Sequence, residues 1–283
     1  MVKVDVSEHD SLAYKAAELA YTRGDSKAAI EGFSKYITQF DNGAYIIDAQ
    51  YYLGCTYYKQ NNYDQARIYL QRVAEQRNSK YCEEATRMVA DLAYNHKDYS
   101  LAMKSYGDLI GITNNPQNKL HAQIHRLRAA QALNNQGVII EETTAALANA
   151  KLAPETAIEL RYYRAKAYLA KKKNEAAVED LIKLANDTRN VYGAEAKYLL
   201  AQFYYDTHRY DKAEQEVLDY INVSTPHSYW LARSFILLSD VYVKKEMPIE
   251  AKQYLLSLKQ SYKANDDIAN MIESRLQTLA PAQ

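Results

Sequence analysis

The sequence predicts an all-α solenoid of about seven antiparallel helical hairpins with a C-terminal capping helix. Glycine and proline are scarce, eight and five in 283 residues, which favours long helices over strands and turns. An alanine followed four residues later by an aromatic or aliphatic side chain keeps returning: Ala29/Phe33, Ala66/Leu70, Ala102/Tyr106, Ala177/Leu181, Ala213/Val217 and Ala251/Leu255. The intervals between these anchor alanines are 37, 36, 75, 36 and 38 residues, and 75 is two periods with one anchor missing.

A true period brings other columns into line. Twelve residues before the anchors stand Ala17, Gly54, Ala90, Ala165, Ala201 and Ser239, all small. Nine before stand Ala20, Tyr57, Ala93, Tyr168, Tyr204 and Tyr242, and seven after stand Tyr36, Val73, Leu109, Leu184, Tyr220 and Leu258. Small residues where two antiparallel helices cross permit close backbone approach, and the large ones on either side fill the remaining gap. Gly54 and Ala201 are therefore expected at helix crossings.

The repeats are expected at about 10–46, 47–82, 83–116, 117–156, 157–193, 194–230 and 231–264, with the capping helix at about 266–280. The fourth is degenerate, because Ile140 or Glu141 falls where the anchor belongs, although Leu127, Ala129 and Ala132 still mark its first helix. Asn265, Asp266 and Asp267 cap the final helix, which carries Ile268, Met271, Ile272, Leu276 and Leu279 on one side. The front offers only Val2, Val4 and Val6 before Asp10, so residue 1 is expected to follow a cut, with more repeats upstream.

In the second repeat, Leu53-Gly54-x2-Tyr57 is followed by a polar turn at Gln60-Asn61-Asn62 and then Ala66-x3-Leu70, with Gln50 at its head. This resembles the tetratricopeptide repeat, in which tryptophan often stands where Gln50 does. His208-Arg209-Tyr210-Asp211-Lys212-Ala213 repeats the same turn and helix start, and the resemblance covers about residues 10–265. It implies a right-handed superhelix that holds proteins or peptides on a concave face. The period of 36–38 exceeds the family's usual 34, implying longer second helices or inter-repeat turns such as Gln39-Phe40-Asp41-Asn42-Gly43. That length is similar to the subclass found in bacterial outer-membrane-assembly and Tol–Pal-associated proteins. The expected location is the periplasm or cell envelope for a fragment of an exported bacterial protein, and otherwise the cytoplasm.

Thirty-five basic residues balance thirty-five acidic ones, so no net field gathers phosphate backbones or anionic lipid, and no nucleic-acid partner is expected. No run near eighteen apolar residues exists, and the opening residues lack an apolar signal core, so neither a membrane helix nor a signal peptide is expected.

The chemistry-bearing motifs are missing. The eight glycines form no Gly-x-Gly-x-x-Gly, phosphate loop or Gly-x-Ser-x-Gly. His121 and His125 stand four apart, but without the glutamate of a zinc protease or an evident third ligand they read as ordinary, partly exposed histidines. Cys55 and Cys82 sit on neighbouring first helices at offsets about nine residues apart, roughly 13 Å along parallel axes, so free thiols are expected. Asn222-Val223-Ser224 is a chance sequon, and the acid pairs Glu83-Glu84, Glu141-Glu142 and Asp266-Asp267 belong to helix starts or solvated faces. No catalytic residue, metal or cofactor is expected.

The resemblance implies that positions fifteen and eight before the anchor face the groove. The first column reads Tyr14, Tyr51, Arg87, Tyr162, Tyr198 and Ile236, and the second Tyr21, Tyr58, Tyr94, Leu169, Tyr205 and Val243. Seven residues are close to two helical turns, so both columns lie on one stripe. Eleven before the anchor, Glu18, Cys55, Asp91, Lys166, Gln202 and Asp240 offer polar selectivity. The candidate partner-binding set is thus Tyr14, Tyr21, Tyr51, Tyr58, Arg87, Tyr94, Tyr162, Lys166, Tyr198, Gln202 and Tyr205, with Tyr51, Tyr58, Tyr94, Tyr198 and Tyr205 partly exposed. The competing reading makes one of each tandem tyrosine pair core. In chaperone-binding relatives lysines and asparagines clamp a terminal carboxylate, whereas Tyr14, Glu18, Tyr51, Tyr52 and Cys55 stand here, so no such clamp is expected. The expected function is a non-catalytic protein- or peptide-binding scaffold; the alternatives are a glycan- or cell-wall-binding module, including an all-helical glycosidase, and an RNA-binding helical-repeat module.

Overall fold

The computed structural model describes residues 6–148 and 151–279, and its described residues form fifteen α-helices and no strand. First helices α1 (Val6–Thr22), α3 (Ile46–Lys59), α5 (Cys82–Asn95), α7 (Pro116–Ala132), α9 (Pro154–Ala170), α11 (Val191–Asp206) and α13 (Ser228–Lys244) alternate with second helices. These are α2 (Ser26–Gln39), α4 (Tyr63–Ala74), α6 (Tyr99–Ile112), α8 (Gln136–Leu147), α10 (Asn174–Ala185), α12 (Tyr210–Ile221) and α14 (Pro248–Ser261), and α15 (Ile268–Leu279) follows. The expected Val2 and Val4, and residue 280 of the expected cap, lie outside the described residues.

The chain divides into two compact units, residues 1–138 and 139–283, with the division inside α8. The first holds the hairpins α1–α2, α3–α4 and α5–α6 together with α7; the second holds most of α8, the hairpins α9–α10, α11–α12 and α13–α14, and α15.

Each first helix is followed by a turn of three residues before its second helix, and the middle residue of that turn always has positive φ. These residues are Gly24, Asn61, Lys97, Asn134, Lys172, His208 and Glu246, with φ between 53° and 79°. The following N–H closes on a carbonyl five residues back, from Asp25 to Ala20 through Met247 to Tyr242, at 2.8–3.0 Å. This left-handed closure satisfies the orphan carbonyls of the helix end. In the first three hairpins Asp25, Asn62 and Asp98 then cap the second helix by accepting from the N–H three residues on. A side chain with a Cβ pays about 1 kcal/mol or more for this backbone, and glycine does not. Lys172→Gly and Glu246→Gly are both exposed changes, and each is expected to stabilise the second unit by roughly 0.5–1 kcal/mol in urea unfolding. A loss of stability in either would show that the positive φ is not what the turn requires.

The packing follows the expected columns. All six anchor alanines are fully buried, as are the large residues four and seven positions after them, apart from slight exposure at Leu184 and Leu258. At Gly54, a Cβ would stand 2.7 Å from Leu70 Cγ, so α3 and α4 touch where the small-residue column predicts. Ser239, in the same column, donates from its hydroxyl to the Ala251 carbonyl at 3.0 Å, bonding the crossing of α13 and α14.

The fourth anchor is Ile139, not Ile140 or Glu141. Ile139 lies five residues after the positive-φ Asn134, as every anchor follows its own turn residue. It is buried together with Thr143 and Ala146, whereas Glu141 is exposed. The large and small residues have exchanged places, so a search for alanine followed by a bulky side chain passes over them. The longer period resides in inter-repeat segments, which have five to seven residues at 40–45, 75–81, 186–190 and 222–227 though only three at 113–115, because every hairpin turn has three. Asp266 caps α15 by accepting from the Ile268 N–H at 3.0 Å, and the apolar side of that helix packs into the last core cluster with Ile236 and Leu255.

Candidate functional site

The first helices carry four aligned columns, eighteen, fifteen, eleven and eight residues before the anchor. The fifteen-column was expected to face a ligand. Instead its aromatic residues stack on an aromatic that opens the next first helix. In the first unit Tyr14 stacks on Tyr45 at 4.5 Å and 9°, and Tyr51 on Tyr81 at 4.1 Å and 13°. In the second, Tyr162 lies 4.7 Å from Tyr192 and Tyr198 lies 5.6 Å from Trp230. Where the column turns aliphatic, Ile236 packs with Ile268 of α15. Offset ring pairs of this kind add to the apolar burial and fix one repeat against the next.

This corrects the site expectation for two residues. Tyr14 is only 4% exposed and Tyr198 8%, because each is enclosed by its stacking partner and by the core of its own hairpin. Tyr51 and Tyr162 are half-buried in the same kind of contact, and Arg87 holds Glu84 through two bonds and Asp91 through one. The eight-column is more open. Tyr58 is 38% exposed, and Tyr21, Tyr94 and Tyr205 are half-buried. Lys59 Nζ lies 4.6 Å from the centre of the Tyr21 ring and donates to its hydroxyl at 3.3 Å. The rings of Tyr94 and Tyr205 meet Tyr99 and Tyr210 edge-on.

The eighteen-column went unread in the sequence, although it reads Asp48, Glu84, His121, Glu159, Glu195 and Arg233 after Ser11. An alignment on the anchors at that offset would have shown the charges. At Glu195 and Arg233 the column links a first helix to the one before. Glu195 accepts from Tyr162 Oη at 2.7 Å and Lys166 Nζ at 2.6 Å, and Arg233 donates to Tyr198 Oη at 2.9 Å. Tyr198 in turn donates to Gln202 Oε1 at 3.1 Å, and Gln202 donates to Asp206. Burial, reinforced by the Glu18 and Glu195 carboxylates, pushes the hydroxyls of Tyr14 and Tyr162 far above the usual phenol range, so both act as neutral donors. Burial also pushes the Cys55 thiol up to about 11, which leaves it a protonated, buried group rather than a nucleophile. Cys55 and Cys82 are both free.

In the third repeat Arg87 and Asn118 stand where other repeats have a ring pair, and a histidine pair lies alongside. His121 and His125 have ring centres 4.0 Å apart, and His121 Nε2 lies 3.5 Å from Asp91 Oδ1, which also accepts from Tyr106 Oη at 2.7 Å. Among the described residues no group of three or more His, Cys, Asp and Glu side chains is arranged to hold a metal ion. Burial lowers the His125 pKa, opposed in part by its hydrogen bond with the His121 carbonyl and reinforced by the charges of His121 and Arg128. A histidine with a depressed folded pKa binds its proton more readily in the unfolded chain. Its contribution is therefore whole above the unfolded value of about 6.5 and declines as pH falls below it. The first unit is expected to lose stability between neutral and mildly acidic pH, and His125→Gln should flatten that dependence; an unchanged slope would exclude His125 as its source.

Helical hairpins repeated every 36–38 residues, with small residues at six crossings and ring pairs between several repeats, define an α-helical repeat protein. A sequence profile of the tetratricopeptide repeat matches residues 48–78, the second hairpin. The structure is similar to the C-terminal part of a tetratricopeptide-repeat-containing protein from Cytophaga hutchinsonii, with a TM-score of 0.51 and 13% identity over 91% of this chain and 98% of that one. It is also similar to a chain of a Naa15/Naa10 complex bound to HypK-THB, with a TM-score of 0.61 and 12% identity over 95% of this chain and 39% of that one. No curated protein matches by sequence. The fold is a tetratricopeptide-repeat solenoid, and the repeat profile itself is met in the second hairpin. The longer-period envelope subclass is not distinguished by these matches. No helix among the described residues is long and apolar enough to cross a membrane.

Proposed function

We propose that this protein is a non-catalytic scaffold that receives another protein or an extended peptide on the first-helix face of its units. The observation that carries the reading is the eight-column. Tyr21, Tyr58 and Tyr94 recur at one offset on α1, α3 and α5; Tyr58 is exposed and the other two half-buried, while Tyr14 and Tyr51 of the fifteen-column are taken up by inter-repeat stacking. Partly exposed tyrosines supply contact area with little rotamer entropy to lose, and the eleven- and eighteen-columns place charge beside them. In the second unit Lys166, Gln202 and Tyr205 occupy the corresponding offsets.

A photo-crosslinking amino acid at position 58 identifies the partner in source cells. Tyr58→Ala is then expected to weaken that partner at least tenfold while the melting temperature holds. Tyr51→Ala, which removes one ring of a stack, is expected to cost about 2 kcal/mol of stability. Unchanged affinity in the Tyr58→Ala variant would remove the eight-column from the site.

A further inference from the structure

Inside the first unit, α4, α5 and α6 leave a recess of about 190 Å³ between the second and third hairpins. Ala74, Val89 and Leu101 form its apolar wall. Ser105 of α6 also lines it and is only 6% exposed, yet its hydroxyl makes no hydrogen bond among the described residues. The buried threonines of the same unit behave differently. Thr56 and Thr86 donate to the carbonyls four residues back, and Thr113 donates to Glu83, each at 2.7 Å. A helical serine commonly turns back in the same way. Ser105 instead keeps its oxygen open to the recess, where a polar atom brought by a ligand would complete it.

Two opposite charges stand at the mouth. Glu75 is the C-cap residue of α4, and Lys104 immediately precedes Ser105. Both are exposed, and neither forms an ion pair among the described residues. Arg77 and Asp108, on the same rim, are already paired with each other at 3.2 Å. Glu75 and Lys104 therefore face one small recess without meeting. Its volume is several times the roughly 30 Å³ share of a liquid water, and it falls below the roughly 300 Å³ at which pockets for drug-sized ligands begin. The occupant it suits has a few heavy atoms, both signs of charge and a short apolar part.

We infer that this recess binds a free α-amino acid with a small side chain. The ligand carboxylate pairs with Lys104 and accepts the Ser105 hydroxyl, its ammonium pairs with Glu75, and its side chain lies against Val89 and Leu101. A compound with only one of the two charges leaves Glu75 or Lys104 unanswered, which supplies the selectivity. The recess shares no residue with the tyrosine columns, so the inference stands independently of the scaffold reading.

The test is calorimetric titration of the 283-residue chain with glycine, alanine, serine and threonine. At least one is expected to bind saturably with a Kd of about 1 mM or tighter, and to raise the melting temperature as its concentration rises. The amine and the carboxylic acid made by removing one charged group from that amino acid should each bind at least tenfold more weakly. Lys104→Gln, Glu75→Gln and Ser105→Ala should each weaken the amino acid by a similar factor. Without ligand their melts should match the parent, because the two charges are exposed and unpaired and the Ser105 hydroxyl is unbonded. No saturable binding of any of the four up to tens of millimolar, as a recess that takes water alone would give, overturns the inference. So does equal affinity for the amine or the acid, or an affinity indifferent to both Lys104→Gln and Glu75→Gln.

Discussion

Gly193→Ala is expected to lower the stability of the second unit by about 3 kcal/mol, the upper part of the range for overpacking a closed site. Gly193 lies in the first turn of α11, where a Cβ would stand 2.0 Å from the Asp187 carbonyl oxygen and 2.7 Å from that of Leu184. Both obstacles are backbone, so no side-chain rotation relieves them. Asp187 O is also held by Asn190 Nδ2 at 2.8 Å, and Asn190 Oδ1 accepts the Gly193 N–H at 2.8 Å to cap the helix. Admitting one methyl group therefore displaces the α10–α11 connection and its cap together. Thermal unfolding should show the second unit melting roughly 10 °C lower. The control is Gly111→Ala near the end of α6, where an added Cβ meets nothing within 4 Å. There alanine's helix propensity should leave stability unchanged or slightly raised. A Gly193→Ala melt matching that control would mean that the connection yields freely.

Gly54→Leu is expected to cost the first unit a comparable amount, about 3 kcal/mol. The first added carbon would already lie 2.7 Å from Leu70 Cγ, 2.9 Å from Leu70 Cδ2 and 3.3 Å from the Leu70 backbone nitrogen. Leu70 is itself fully buried, so it has no open space into which to turn. The three further carbons of leucine would force α3 and α4 apart, which transmits to every ring stacked on α3. Ala201→Leu should behave alike in the second unit, because Ala201 occupies the same column and is fully buried. Unchanged denaturation midpoints in both variants would place the repeat register elsewhere.

The candidate site was only partly legible in the sequence. Tyr51 and Tyr58 look equivalent there, since both sit on one stripe seven residues apart. They differ in the structure because Tyr81, thirty residues beyond Tyr51, returns to stack on it, whereas Tyr58 stands beside the hairpin turn and stays open. Tyr198 was expected to be exposed for the same reason and is enclosed by Trp230. Asp91 likewise reads as one polar residue in a mixed column, yet folding surrounds it with Arg87, Tyr106 and His121.

What the sequence by itself determined was the helical hairpin and its period. Those rest on contacts within one repeat, where residues four or seven apart share a helix face and alanine or glycine sets the approach of two antiparallel helices. The crossing at Gly54, the anchors and the cap of α15 are all of that local kind. Only the tertiary structure decided which tyrosines are mortar and which are surface, because that depends on partners some thirty residues away whose offset belongs to no single-helix periodicity. It also decided the fourth anchor: Ile139 keeps its place after a left-handed turn residue, and a backbone conformation that Lys, His, Glu, Asn and Gly all adopt here leaves no common side chain to read.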